Sequence, residues 1–389
     1  MKSFSTFLEE GKKKKRLNGI TFQSIQDFIT EALMEAAPFL GATTRPFPEK
    51  DLKDYLGRIV TKTKGKKEKY DLPYIHGGNI VITGETGQEF DLPALRTQIS
   101  KRPESLLKQN EKMKHSDGTA TQFFNIGLPA LKGLAVNEKT GEFVIVDTCP
   151  GAGTCKTFCY AMKGGYVQWK ASSMAQTRVL NFLMNDPDGF ASALNTEISS
   201  AETKFSQKKG VKLTVRWHDA GDFFSPDYLT LAYAVARQHP DVDFYAYTKM
   251  ASVASSTKPD NFLINFSAGA QPSQEKAIDF TTQKNSRVVP KELFKDLLTR
   301  NAIADLIQLG TAKKKEPSKL RFKSPQDLAR FKDRLAEKYR IAASSILSYE
   351  EMQETPKGVL PKWNVIVLPG QGDESAARKD VLGTLLVFH

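Results

Sequence analysis

Apolar residues along the chain alternate between short continuous runs and longer stretches with helical spacing. Residues 143–147, Phe-Val-Ile-Val-Asp, are a compact run of strand type. Residues 211–217, 241–247 and 261–266 repeat it, rich in Val, Ile, Phe and Tyr. Between the runs, residues 169–184, 190–204 and 227–237 carry apolar side chains at the period of a helix. Ser225 followed by Pro226 predicts a helix start, with a hydroxyl N-cap and proline at the first helical position. Each run ends in polar or glycine-rich residues, so the expectation is a (β/α) pattern in an α/β protein, as an open sheet or a complete or partial barrel.

The flanks are less regular. Residues 3–10 and 22–38 predict amphipathic helices, the second with Phe22, Ile25, Phe28, Ile29 and Leu33 on one face. Residues 50–75 are charged, residues 76–79 predict a turn before a strand at 80–82, and residues 91–115 read as a basic helix. This divides the chain into a basic, mainly helical N-terminal extension, residues 1–120, and a body, residues 121–389. Beyond the central series, residues 288–289 predict a short strand and residues 291–310 and 325–340 predict helices. The helix at 325–340 has Leu328, Phe331 and Leu335 on its inner side. Strands are expected at 363–368 and 382–388, and the turn after the former brings Asp373 and the terminal His389 into consideration near a site.

Composition adds a partner class. The net charge is +12, concentrated in Lys12-Lys13-Lys14-Lys15-Arg16, in residues 62–69 and in Lys313-Lys314-Lys315. Such runs fit a polyanion, foremost nucleic acid and DNA in particular, or else form a solvated face. No run of about 18 apolar residues exists, so a membrane span is not expected, and no signal-peptide core follows the N-terminal charges.

All three cysteines crowd into one segment, Cys149-Pro-Gly-Ala-Gly-Thr-Cys155 and Cys159, directly after the 143–147 run. Clustered thiols argue against a disulfide scaffold and for a reducing compartment, the cytoplasm. In a loop broken by Pro150, Gly151 and Gly153 they can converge on a metal ion or a metal–sulfur cluster. The second chemistry-bearing segment is His218-Asp-Ala-Gly-Asp222, at the end of the 211–217 run. His218, Asp219 and Asp222 are candidate catalytic or ligand-binding groups there. The bland alternative is that Asp222 bonds turn amides and His218 packs as an aromatic. Lys249, at the next strand end, is a candidate contact for a carboxylate or phosphate.

Four segments carry a resemblance. They are Asn125-Ile-Gly-Leu-Pro129-Ala-Leu131, the cysteine loop with Tyr160, Val215-Arg-Trp-His-Asp-Ala-Gly-Asp222, and Phe244-Tyr-Ala-Tyr-Thr-Lys249. Together they resemble a bacteriophage "gene product 88"-like family of largely unknown function. That family in turn distantly resembles the radical S-adenosylmethionine (SAM) superfamily. The resemblance implies a partial (β/α)6 TIM-like barrel, with Cys149, Cys155 and Cys159 ligating a [4Fe–4S] cluster whose fourth iron binds SAM. It makes Tyr160, Arg216, Asp219 and Asn265 the candidate cofactor-binding residues and His218, Asp219, Asp222 and Lys249 the candidate catalytic ones. The cysteine spacing differs from the superfamily's usual three residues then two, being five and then three here. The implied reaction is radical modification of a nucleic-acid base in phage DNA, in the host cytoplasm, with an external electron donor such as flavodoxin. Two other readings stand beside it. One is a zinc site of the three cysteines and His218 in a nucleic-acid-binding protein. The other is a phosphodiesterase or nuclease using His218, Asp219 and Asp222 on a divalent metal.

Overall fold

The computed structural model describes residues 38–47, 74–76, 79–81, 92–109, 121–157, 159, 161, 170–206, 211–299, 322–356, 362–367 and 373–387. The helix expected at 3–10, nearly all of that at 22–38 and the lysine runs lie outside these residues. In chain order the elements are β1 (Thr44–Pro46), β2 (Tyr74–His76), β3 (Asn79–Val81), α1 (Leu92–Ile99), β4 (Thr121–Ile126), β5 (Lys132–Val136) and β6 (Phe143–Asp147). They continue as α2 (Lys170–Asn185), α3 (Pro187–Ser206), β7 (Lys212–Trp217), α4 (Pro226–Gln238), β8 (Asp243–Thr248), α5 (Ala251–Ala254) and β9 (Phe262–Ser267). The last are α6 (Pro272–Lys276), β10 (Asn285–Val288), α7 (Pro325–Tyr339), β11 (Ile346–Leu347), α8 (Tyr349–Glu354), β12 (Trp363–Val367) and β13 (Val381–Leu386).

Eight strands form one sheet in the order β11-β12-β13-β10-β9-β8-β7-β4, and every pairing in it is parallel. The sheet is open, with β4 and β11 at its edges. This overturns the expected partial (β/α)6 barrel of radical SAM type. Strand order follows the chain only from β4 through β10. The chain then passes to the far edge and fills inward, so β13 inserts between β10 and β12. A ring of strands in chain order cannot be drawn from that connectivity. The crossovers from β8 to β9 and from β9 to β10 are also spanned only by α5 and α6, of four and five residues.

β6 was expected to belong to the parallel series. It is instead the middle strand of a separate antiparallel sheet, β1-β6-β5. Asn181 and Asn185 tie α2 to that sheet: Val136 N donates to Asn181 Oδ1 at 2.8 Å, and Asn185 Nδ2 donates to Val136 O at 2.9 Å.

Two helix expectations are shortened. The helix expected over 91–115 ends at Ile99, because Pro103 lacks an N–H and biases the residue before it away from helical angles. Its continuation meets the edge strand, where Lys108 and Asn125 exchange backbone bonds of 2.9 and 2.8 Å. In the described part of 291–310, two short 3-10 turns break at Phe294, which is fully buried against Phe331 in a C-terminal core. That burial outweighs continuation of the helix. α4 begins as expected: the Ser225 hydroxyl accepts from Tyr228 N at 3.1 Å, and Pro226 opens the helix.

The two faces of the large sheet differ in chemistry. Successive strand residues alternate between faces. Ile126, Val215, Trp217, Phe244, Ala246, Phe262, Ile264 and Phe266 point one way, into the main core with Leu183, Phe190 and Leu194 from α2 and α3 and Leu231 from α4. The ring of Phe244 stacks on that of Phe262 with centroids 5.7 Å apart. The opposite face runs across the sheet as Asn125, Arg216, Tyr245, Tyr247, Asn265, Ser267, Ser286 and Thr384, placed together by the strand registers. Parallel sheets are ordinarily apolar on both faces, so this polar face marks where something other than helix packing is served. Among the described residues no helix is long and apolar enough to cross a membrane.

Phe244→Ala removes a fully buried ring from the apolar face. It is expected to cost about 3–5 kcal/mol, read as a fall in the urea unfolding midpoint.

Candidate functional site at the strand ends

The cysteine loop leaves the end of β6 and crosses to the carboxyl ends of the parallel strands. Thr148, fully buried, anchors its start: its hydroxyl donates to Pro129 O at 2.6 Å and its N–H to Leu131 O at 3.1 Å. The middle of the loop is stitched to the segment after β9. Gly153 N and Cys155 N both donate to Gly269 O at 3.1 Å, and Gln271 N donates to Gly151 O at 2.9 Å. The contact requires bare backbone. A Cβ on Gly153 would lie 2.1 Å from Ala270 O, and one on Gly151 would lie 2.5 Å from Lys249 O.

The loop after β7 is held just as firmly. Asp219 N donates to Ile126 O at 3.0 Å, Leu128 N to Ala220 O at 2.9 Å, and Asp222 N to Thr148 O at 2.9 Å. Gly221 turns the chain at a φ of +88°, a conformation suited to glycine. The Asp222 carboxylate then accepts from Phe223 N and Lys249 N, each at 2.7 Å. One buried side chain thus joins the β7 loop to the end of β8. Burial raises its pKa to about 6 against the backbone donors that lower it.

These loops enclose a cavity of about 150 Å³, several times what an ordered water needs. Its wall includes Cys149, Cys155 and Cys159, the strand-end residues Arg216, His218, Asp219, Asp222, Tyr247 and Lys249, and Ser267, Ser286 and Leu386. Ligands of open α/β sheets bind outside the carboxyl ends of the strands, and this cavity lies there. Burial, then the Asp222 carboxylate, pushes the Cys149 thiol well above its usual range, although Leu131 N donates to its sulfur at 3.3 Å. Ala130, Ala161 and Ala220 pack with Cys159 as a small apolar cluster.

The structure therefore brings together eight of the ten residues singled out in the sequence. Their roles are unequal. Lys249 donates its three ammonium protons to Ser267 O (2.9 Å), Ser267 Oγ (2.7 Å) and Ala268 O, and so braces the end of β9. Burial lowers its pKa while Cys155, Asp222 and Cys149 raise it. The His218 ring sits in the aromatic core, edge-on to Phe223 at 4.6 Å, with Nε2 2.7 Å from Tyr228 Oη. Burial, with Arg216 adding, pushes its pKa down to about 3, so the ring is neutral at pH 7. Trp217 Nε1 donates to the same Tyr228 oxygen at 3.1 Å, tying the ring cluster together. Arg216 lies over the Tyr247 ring, 5.0 Å from its centroid, and its Nε donates to His218 O at 3.1 Å.

Of the other two, Asn265 is the one among the described residues. Asn265 is fully buried in β9 away from the cavity wall, donating through Nδ2 to Ala246 O and Ala376 O at 3.2 Å each. Tyr160 lies outside the described residues, as do His389 and the side chain of Asp373. Sequence reasoning missed Tyr247, Ser267 and Ser286. The available signal was a run such as Asn-Ser-Arg-Val at 285–288, too polar for a strand buried on both faces.

With the geometry in place, comparison gives a lineage. Residues 104–344 match the family described as Gene product 88, and the chain belongs to that family. Two mycobacteriophage proteins are similar to it. The Gene 88 protein of Mycobacterium phage L5 is 32% identical over 151 residues, covering 37% of this chain and 56% of the phage protein. The Gene 88 protein of Mycobacterium phage D29 is 32% identical over 150 residues with the same coverage. The chain thus spans a little over half the length of these curated relatives. The family resemblance and the phage association expected from the motifs hold; nothing in these similarities extends to radical SAM enzymes. No solved structure matches the chain.

Gly153→Ala places a methyl group against the Ala270 carbonyl. It is expected to destabilise the fold by about 1–3 kcal/mol, seen as a lowered Tm, and to expose the cysteine loop to limited proteolysis.

Proposed function

We propose that the chain is an iron–sulfur enzyme whose three cysteines hold a cluster at the strand ends and whose substrate binds in the cavity below. The observation that carries this is the disposition of the thiols. All three cysteines of the protein line one cavity. A cluster of several atoms takes three thiolates around one wall, and the donor set here fits it in number and kind.

With three protein thiolates, such a cluster keeps one iron for an exchangeable ligand, and with S-adenosylmethionine there it supplies one-electron chemistry at unreactive carbon. The remaining work falls to the chain's own residues. Lys249, held against Ser267 and Ala268, braces the end of β9 beside the cysteine loop. Asp222 keeps the β7 and β8 loops in register with the cysteine loop. Arg216, over the Tyr247 ring on the cavity wall, offers positive charge to an anionic group of the ligand. The alanine cluster around Cys159 keeps water from that side of the centre. The lysine runs fit a nucleic-acid substrate, with the target base turned out of the stack to reach a cavity of this size. An external donor such as flavodoxin would supply the electron.

Anaerobic purification with iron and sulfide reconstitution tests the proposal. The expected result is a brown protein holding close to four irons and four sulfides per chain. Cys149→Ser, Cys155→Ser and Cys159→Ser are each expected to lose the chromophore. 5′-Deoxyadenosine should form when reductant and S-adenosylmethionine are added. A colourless protein with stoichiometric zinc overturns it.

A further inference from the structure

His218 carries features that its place in the aromatic cluster does not explain. Its backbone holds a φ of +70°, the left-handed region that a residue with a side chain enters at a cost. Such strain persists where the surrounding structure imposes it, and it gathers at sites that bind or react. The residue lines the strand-end cavity although only 3% of its surface is exposed. Of its two ring nitrogens, Nε2 is taken by Tyr228 Oη, and Nδ1 is buried with no hydrogen-bond partner. Native folds rarely leave a buried polar atom unpaired, so an unpaired nitrogen on a residue of the cavity wall points to a ligand.

A positive charge stands beside it. Arg216 lines the same cavity, donates through Nε to His218 O at 3.1 Å, and lies close enough to the imidazole to help keep it neutral. The left-handed turn at residue 218 therefore sets both the carbonyl that aims Arg216 and the ring beside it. A neutral imidazole can donate or accept at Nδ1, and the Tyr228 hydroxyl can serve either form. A bound oxyanion decides between them. It selects the tautomer with the proton on Nδ1, in which Tyr228 donates to Nε2 and still accepts from Trp217 Nε1. The second donor then comes without a second buried charge. The neighbouring carboxylates are engaged elsewhere. Asp222 accepts from Phe223 N and Lys249 N, and Asp219 Oδ1 is turned to Gly127, 2.2 Å from where a Cβ would stand there.

We propose that the Arg216 guanidinium and His218 Nδ1 together form an oxyanion subsite of the cavity, which holds a phosphate or carboxylate of the substrate. On a nucleic-acid substrate the group is a phosphate of the target nucleotide. Arg216 supplies charge, and His218 supplies one directed N–H whose ring is held from the other side by Tyr228. The proposal rests on the reading of this cavity as the substrate site, and does not require the cluster.

The test uses the full chain, with a 2′-deoxynucleoside 5′-monophosphate, the parent nucleoside, inorganic phosphate and acetate as probes. Affinity is measured by calorimetry for the wild type, His218→Phe, His218→Asn and Arg216→Gln, with iron content and Tm recorded for each. The wild type is expected to bind the monophosphate about tenfold more tightly than the nucleoside. His218→Phe and Arg216→Gln should each lose that preference while still binding the nucleoside. His218→Asn tolerates left-handed backbone and sets an amide near the place of Nδ1, so it should keep most of the preference. Nitrogen-15 labelling of histidine adds a readout that packing alone does not move: phosphate should shift the His218 Nδ1 resonance of the wild type. Competition by inorganic phosphate assigns the group as a phosphate, and competition by acetate alone assigns it as a carboxylate; both support the subsite. Equal affinity for monophosphate and nucleoside together with no competition by acetate overturns it, as does a preference that survives His218→Phe, an Nδ1 resonance that no anion moves, or binding of no probe. Should His218→Phe fail to fold, the labelled wild type and Arg216→Gln decide the matter. A colourless protein that still binds the anion through Arg216 and His218 removes only the iron–sulfur reading. A brown protein whose binding ignores both residues removes only the subsite.

Discussion

Two backbones touch where the cysteine loop crosses the strand ends, and they can do so only because residues 151 and 153 lack side chains. Gly269 O receives two N–H groups from the loop, and Gln271 returns one to Gly151. That exchange brings Cys149 and Cys155, which belong to a loop fed by the small antiparallel sheet, over strands of a different sheet. Without it the thiols would stand beside the parallel sheet, and Asp222 and Lys249 would have no cysteine opposite them. The buried Asp222 carboxylate carries the same linkage onward, from the cysteine-loop backbone at Thr148 to the end of β8.

The large sheet supplies the rest of the site through its asymmetry. One face is covered by α2, α3 and α4 and is built from Trp217, Phe244, Phe262 and other apolar residues in continuous contact. The other face holds an arginine, two tyrosines, asparagines and hydroxyls. Burying such groups opposes folding unless they are paired. The apolar side supplies the burial that offsets the cost of the polar side. The cavity sits where the polar face meets the loops, so its thiols and the polar strand-end side chains come from different parts of one enclosure.

Much of this was legible in the residues, for stated physical reasons. Strands at 143–147, 211–217, 241–247 and 261–266 follow from apolar and β-branched runs, and the Ser225–Pro226 start of α4 from capping chemistry. The grouping of the cysteines with the 218–222 segment came from their shared position at strand ends. The barrel did not survive, because the order of strands in a sheet depends on where β11 to β13 insert, and no local pattern encodes that. β6 reads as a core strand by composition, and only its partners β1 and β5 place it in a second sheet. The helix expected at 291–310 depended on periodicity, whereas Phe294 is drawn out of helical geometry by the C-terminal core.

By itself, then, the sequence determined the existence and type of the main elements, the capping of α4, the crowding of all three thiols into one loop and the net charge. These are properties of neighbouring residues: side-chain period, turn chemistry and spacing along the chain. Tertiary structure alone decided that the sheet is open, that Lys249 braces β9, that the His218 ring is neutral within an aromatic cluster, and that Ser286 and Thr384 stand side by side with unpaired hydroxyls. Each of these depends on strand register or on burial, and both arise from contacts between residues far apart in the chain.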